Sequence, residues 1–188
     1  MSAVPLSEIL LSPDDYLAFE EQAEERHEYV HGVIYAMAGG SEEHDLICGD
    51  LNAALIQRLG SGPCRAFTSN MKLLVDPQRR GRFYYPDAMV VCGPRTGLSY
   101  QVEPAVVFEV LSDSTERQDR GEKREAYLAL PSLQIYVLLA QNRTAVEIWR
   151  RTDGGWQGEA LNAESDILDL PAIGCAIPLH EIYRRALP

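Results

Sequence analysis

Apolar positions fall into blocks whose spacing changes along the chain, and the spacing predicts the elements. Ala105-Val106-Val107-Phe108 is a nearly continuous β-branched and aromatic run behind Pro104, which predicts a buried strand. Residues 84–91 and 133–139 read as two further buried strands. Residues 144–150 alternate apolar and polar, and Asp153-Gly154-Gly155 predicts a hairpin into residues 156–160. Helical spacing takes over at residues 41–59, where Leu46, Ile47, Leu51, Ala54, Leu55 and Leu59 follow a Ser41 N-cap and Gly60-Ser61-Gly62-Pro63 ends the run. Ser12-Pro13-Asp14-Asp15 opens an earlier helix, with Tyr16, Leu17, Phe19 and Ala23 inward and Glu20, Glu21, Glu24 and Glu25 expected in solvent.

The remaining segments read as connections and short elements. Residues 28–37 predict a strand or hairpin arm ending at Gly39-Gly40, and residues 65–69 and 71–75 two short strands, with Lys72 expected exposed. Residues 76–82 predict a polar hairpin loop, residues 93–101 a loop, residues 166–174 irregular chain and residues 178–187 a terminal helix. No linker, repeat or low-complexity tract interrupts the order. The expectation is one α/β (α+β) domain over residues 1–188, with a mixed central sheet flanked by helices and a C-terminal β-hairpin extension.

Against this pattern a few polar residues stand out. Glu109 sits inside the apolar strand, where an ionised carboxylate costs several kcal/mol unless a cation, a metal or fixed donors meet it. Asp87 is set among apolar neighbours in the strand before it. Counting by two, both acids share a sheet face if the strands are neighbours. After Ser112-Asp113-Ser114-Thr115 a charged helix follows, with Asp119, Lys123 and Tyr127 spaced four apart along one face. Two carboxylates and an ammonium converging on a sheet edge suit a hard cation that keeps waters and admits a phosphate. The chemistry indicated is metal-assisted phosphodiester hydrolysis. Each residue also has a structural reading: Glu109 as an ion-pair partner of Arg120 or Lys123, Asp87 as a strand-entry residue, and Lys123 as part of a solvated helix face.

The same residues resemble the signature of the bacterial Uma-type restriction endonuclease family, within the PD-(D/E)XK nuclease superfamily. The resemblance rests on Pro86-Asp87, on Glu109-Val110-Leu111-Ser112 and on Asp119, Lys123 and Tyr127. It extends from about Glu28-Tyr29-Val30-His31-Gly32 through His44 to Tyr136-Val137-Leu138. It implies a restriction-endonuclease-like fold in which Asp87, Glu109 and the Val110 carbonyl hold Mg²⁺ (or Mn²⁺). The third position of the superfamily's E-X-K element is Leu111 here, so the resemblance makes Lys123, on the next helix, the candidate to position or deprotonate the attacking water. It further implies Glu28 as an auxiliary ligand or orienter, and His44 as a residue touching the substrate or Glu28. The implied partners are DNA as substrate and a second copy in a homodimer.

Composition qualifies this picture. A net charge of −11 argues against nucleic-acid binding unless basic residues are concentrated. The locally basic segment is Arg79, Arg80 and Arg82, the best phosphate-contact candidates. His27-Glu28-Tyr29-Val30-His31 matches the helical zinc-hydrolase pattern H-E-x-x-H, but Gly32-Val33-Ile34 favours a strand and no third ligand follows. A non-catalytic oligomerising scaffold is the other alternative. No apolar run approaches the roughly 20 residues that span a bilayer, and the N-terminal residues lack signal-peptide character, so the expected location is cytoplasmic. Cys48, Cys64, Cys92 and Cys175 lack paired spacing and are expected as reduced core thiols.

Overall fold

Strands form over most of the apolar runs that predict them, and β8 carries Glu109 inside it. The computed structural model describes residues 10–37, 39–76 and 81–187. Helix α1 (Pro13–Glu20) carries a capping box in which the Ser12 hydroxyl accepts from Asp15 N–H and Asp15 reaches back to Ser12. Strands β1 (His27–Val30) and β2 (Val33–Ala36) form a hairpin, turned at His31 and Gly32, both at positive φ. Helix α2 (Glu42–Leu59) starts at a Ser41 cap, as its sequence predicts. Strands β3 (Cys64–Thr68), β4 (Lys72–Val75) and β5 (Arg82–Tyr84) follow, then β6 (Ala88–Cys92), the short β7 (Tyr100–Gln101) and the long β8 (Pro104–Leu111).

The expected strand over residues 84–91 is in fact two, since Pro86 and Asp87 break it into β5 and β6. Proline removes a ladder donor, and here the break moves the chain from one sheet to another. Among the described residues, β2-β1-β5-β4-β7 make one sheet and β11-β10-β9-β8-β6-β3 a larger, six-stranded one. The larger sheet is completed by β9 (Ile135–Ala140), which runs parallel to β8, and by the hairpin β10 (Val146–Thr152) and β11 (Gly155–Leu161). Between β8 and β9 runs a broken helix: α3 (Glu116–Gln118), a π-helical turn over Asp119–Lys123 with non-helical dihedrals at Gly121, and α4 (Arg124–Leu128). Residues 166–174, expected irregular, instead contain β12 (Ile167–Leu170) and a 3₁₀ turn. That turn leads into β13 (Cys175–Pro178), which pairs with β12, and α5 (Leu179–Tyr183) closes the chain. The 3₁₀ turn ends on Gly174 at positive φ, a turn signal inside an otherwise short apolar alternation.

One core lies between α2, with Ile47, Leu51 and Leu55, and the six-stranded sheet, with Val90, Phe108, Val110 and Val137. The other face of that sheet packs Met89, Val107 and Tyr136 against Tyr127 of α4 and against Leu73, Val75 and Tyr84 of the smaller sheet. A third cluster, Tyr16, Tyr29, Ile34 and Phe83, holds α1 on the smaller sheet. Glu20, expected in solvent, is buried, because the helix ends there and its carboxylate accepts from His27 N–H and Tyr85 O–H. Lys72 is buried too, with Nζ 5.7 Å from the centre of the Tyr85 ring. No helix among the described residues is long and apolar enough to cross a membrane.

The cysteine expectation is corrected in part. Cys64 and Cys92 are directly opposed on β3 and β6 and form a disulfide, while Cys48 and Cys175 are free. Sequence spacing carries no trace of this pairing, because antiparallel register brings the two together.

Candidate functional site

The paired acids meet because β6 and β8 are antiparallel neighbours in which Ala88 faces Phe108 and Met89 faces Val107. Continuing that register places Asp87 opposite Glu109, on the sheet face of Met89 and Val107. Two hydrogen bonds join them across the strands: Val110 N–H donates to Asp87 Oδ2 at 2.7 Å, and Asp87 N–H donates to Glu109 Oε2 at 3.3 Å. The predicted juxtaposition is therefore present.

Lys123 completes the site from the π-helical turn. Its Nζ lies 2.9 Å from Glu28 Oε1, 3.4 Å from Glu109 Oε1 and 3.5 Å from Asp119 Oδ1, and it is 6 % exposed. Tyr127, one turn on, donates its O–H to Glu109 Oε1 at 2.9 Å. The helix face read from the four-residue spacing of Asp119, Lys123 and Tyr127 thus points inward as one unit. Glu28 arrives from β1, where alternation sends it to the site and its neighbour His27 away from it to Glu20.

These groups line one cleft of about 410 Å³ with His44, Tyr85, Ser112, Ser114, Thr115, Gln118, Gly39 and Gly40 among its walls. His44, from the first turn of α2, reaches Asp87 rather than Glu28: its Nε2 lies 3.3 Å from Asp87 Oδ2. Arg82 does not line the cleft. Its Nε meets His31 Nε2 at 3.0 Å and Glu122 at 3.3 Å, so its charge is already engaged. Arg79 and Arg80 lie outside the described residues. Arg120 is paired with Glu116 and Glu147.

Electrostatics in the cleft are dominated by a surplus of acid. Glu28, Glu109 and Asp119 surround the ammonium of Lys123, with Asp87 beside Glu109 in the same cleft. Burial raises the Glu109 carboxyl well above its ordinary range; Lys123 opposes this, and Asp119, Asp87 and Glu28 reinforce it. Asp119 is raised for the same leading reason, again against Lys123. Burial acts against the charge of Lys123, yet Glu109, Glu28 and Asp119 outweigh it and hold the ammonium protonated far up the pH scale. For His44, burial is likewise outweighed by Asp87 and by a hydrogen bond to the Val110 backbone, and its affinity for a proton rises.

The donor set fits a hard divalent cation. It offers carboxylate oxygens in excess of the available cations, and the buried Asp119 Oδ1 makes no hydrogen bond, its neighbour being the Lys123 ammonium at 3.5 Å. Asp119 and Tyr127 are legible in the sequence as helix spacing and as part of the resemblance, but no role follows from either; their place in the site comes from the packing of the π-helical turn and α4 beside Glu109. The zinc-hydrolase alternative fails on geometry. His27-Glu28-Tyr29-Val30 is strand β1 and His31 lies in its turn, so the two histidines do not share a helix face.

Comparison with known proteins gives the family and the fold. A family model described as "Putative restriction endonuclease", Uma2, matches residues 13–180. Two uncharacterised Synechocystis proteins are relatives: slr1290 is 39% identical over 93% of this chain and 92% of its own length, and sll1609 is 32% identical over 78% and 85%. A crystal structure from Anabaena variabilis, described as a putative nuclease belonging to DUF820, superposes with a TM-score of 0.75 at 15% identity. It covers 93% of this chain and 98% of its own, which shows a shared fold. With 168 consecutive positions matched by one family model and a relative aligned along nearly its whole length, the chain belongs to the Uma2 restriction-endonuclease family.

Proposed function

We propose that the protein is a divalent-metal-dependent endonuclease that hydrolyses phosphodiester bonds of DNA. The observation that carries the reading is the surplus of buried carboxylate around Lys123, at the floor of a cleft open to solvent. Asp87, Glu109 and the Val110 carbonyl would hold Mg²⁺ or Mn²⁺. That ion, when bound, supplies a Lewis acid for a phosphate oxygen and a water of lowered pKa.

The chain's own groups have separable tasks. Lys123 is held protonated by three carboxylates, so it acts as a fixed positive charge toward the phosphate and as an orienter of water, not as the base that deprotonates it. Glu28 fixes the Lys123 ammonium and so acts as a positioning residue. Tyr127 O–H keeps one Glu109 oxygen occupied, which leaves the carboxylate a single orientation. Ser112, Ser114, Thr115 and Gln118 present neutral hydrogen-bonding groups along the wall, where a backbone phosphate can be met without adding net positive charge. A homodimer with one cleft per copy is the assembly we propose for cutting both strands of a duplex.

The test is a calorimetric titration of Mn²⁺ into metal-free wild type and Glu109→Gln, followed by plasmid nicking in Mg²⁺. The reading expects binding and nicking by wild type and loss of both in the variant. Nicking that persists in Glu109→Gln at wild-type rate would sink it. A protein that nicks nothing and binds no Mn²⁺, with or without a nucleic acid present, would be the oligomerising scaffold instead.

A further inference from the structure

A second set of ligand-type side chains meets the first at Asp87. His44 and Cys48 are one turn apart on α2 and project from the same face, with Cys48 Sγ 3.6 Å from His44 Nδ1. Asp87 Oδ2 lies 3.3 Å from the other ring nitrogen. One donor atom from each of the three residues falls within 4.8 Å of the others, and all three residues are half-buried. These are a nitrogen, a sulfur and an oxygen, a set of quite different softness from the all-oxygen group around Lys123.

We propose that His44, Cys48 and Asp87 form a site for Zn²⁺, with the fourth position open to water from the cleft. Tetrahedral zinc holds sulfur at about 2.3 Å and nitrogen at about 2.0–2.1 Å, which sets those two ligands roughly 3.6 Å apart. The His44–Cys48 separation already has that value. Zinc takes one ring nitrogen, so with Nδ1 bound Asp87, which now meets Nε2 and the Val110 N–H, joins the set only by a rotation of its side chain that gives up those contacts. Gly40 keeps the approach to the ring open, because a Cβ at that position would stand 2.9 Å from His44 Nδ1. Thiolate and imidazole select Zn²⁺ over Mg²⁺, whose preference is for hard oxygen ligands. Burial, with Asp87 and Glu109 next, pushes the Cys48 thiol up, so the incoming ion displaces a proton from sulfur and releases it to solvent.

The site stands on its three side chains alone. Its consequence for catalysis rests on the nuclease reading: Asp87 serves both ions, so zinc capture withdraws a carboxylate from the Mg²⁺ pair and the two metals compete.

The experiment titrates Co²⁺, a spectroscopic substitute for zinc, into the metal-free full chain without added thiol and under exclusion of oxygen, and then displaces it with Zn²⁺. The proposal expects one equivalent bound, with a thiolate-to-cobalt charge-transfer band that Zn²⁺ abolishes. In Cys48→Ser the band is absent and Zn²⁺ affinity, read by chelator competition, falls on the order of a hundredfold or more. Cys48→Ala serves as the second variant if the serine disturbs the packing of α2. Cobalt bound by wild type without the band, or zinc held equally well by both variants, overturns the site. A parallel Mn²⁺ titration separates the two ideas. Mn²⁺ bound by wild type, with cobalt giving no thiolate band, defeats the zinc site and leaves the nuclease reading standing. A thiolate band without Mn²⁺ binding does the reverse.

Discussion

Lys123 Nζ stands 2.9 Å from Glu28 Oε1 and thereby ties the π-helical turn after β8 to the first hairpin of the chain. The contact joins both sheets at the cleft, since Glu28 belongs to the smaller sheet and Glu109 to the larger.

Removing that ammonium strands three buried acids. Lys123→Met is expected to destabilise the metal-free protein at neutral pH by about 3–5 kcal/mol, the usual cost of taking one partner from a buried ion pair. Lowering the pH to 5 should restore part of the loss, as Glu109 or Asp119 takes up a proton. Urea unfolding of wild type and variant at pH 7.5 and 5 measures both effects. Equal losses at the two pH values would show that the acids are not what the lysine neutralises.

The pH dependence of the wild type should run against ordinary acid denaturation. Glu109 and Asp119 have folded-state pKa values raised above those of the unfolded chain. Their contribution is therefore fully present below the normal carboxylate range and is lost as the pH climbs through the raised values. Metal-free protein should thus be more stable in mild acid than at pH 8, and Glu109→Gln should flatten the profile. Added Mn²⁺ should stabilise most at the alkaline end, where both carboxylates are ionised. Thermal melts across the pH range, with and without Mn²⁺, test the sign directly.

Much of this site was legible because its signals are local. A carboxylate in a continuous apolar strand, at Glu109, and a four-residue spacing, through Asp119, Lys123 and Tyr127, survive in any fold that keeps the strand and the helix. What escaped the sequence depended on register and tertiary contact. Cys64 and Cys92 pair because β3 and β6 run antiparallel, and Cys48 joins His44 and Asp87 because α2 crosses the start of β6. Glu20 and Lys72 looked solvated by residue type, yet both are buried beside Tyr85. Strand β12 was missed because it is four residues long and followed by Pro171, so its alternation is too short to outweigh the breakers.

Asp87 separates charge from hydrogen bonding. Deleting one acid from a crowded group should relieve repulsion, but the Asp87 carboxylate also accepts the Val110 N–H at 2.7 Å. Asp87→Ala should therefore give up about 1–3 kcal/mol for the orphaned N–H, offsetting the relief. Asp87→Asn keeps an acceptor and should match or exceed wild-type stability in the absence of metal, while losing Mn²⁺ binding. Chemical denaturation of the two variants, beside a Mn²⁺ titration of each, distinguishes the effects. An asparagine variant as unstable as the alanine would mean that the hydrogen bond is not what Asp87 contributes.

The Cys64–Cys92 bond closes a loop containing β4, β5 and the turn that carries Asp87, with a sequence separation of 28. In the chain-entropy description a loop of this size adds about 3.6 kcal/mol by restricting the unfolded state. Cys92 is exposed at the end of β6, so a reductant can reach it. Unfolding in the presence of a phosphine reductant should lower the unfolding free energy of wild type by that amount, and its urea midpoint in proportion, and leave Cys64→Ser/Cys92→Ser unchanged. Because β6 still pairs with β8 along its length, Asp87 should keep its place opposite Glu109. Mn²⁺ affinity should then be the same before and after reduction. A fall in affinity on reduction alone would show instead that the disulfide holds the carboxylate pair in register.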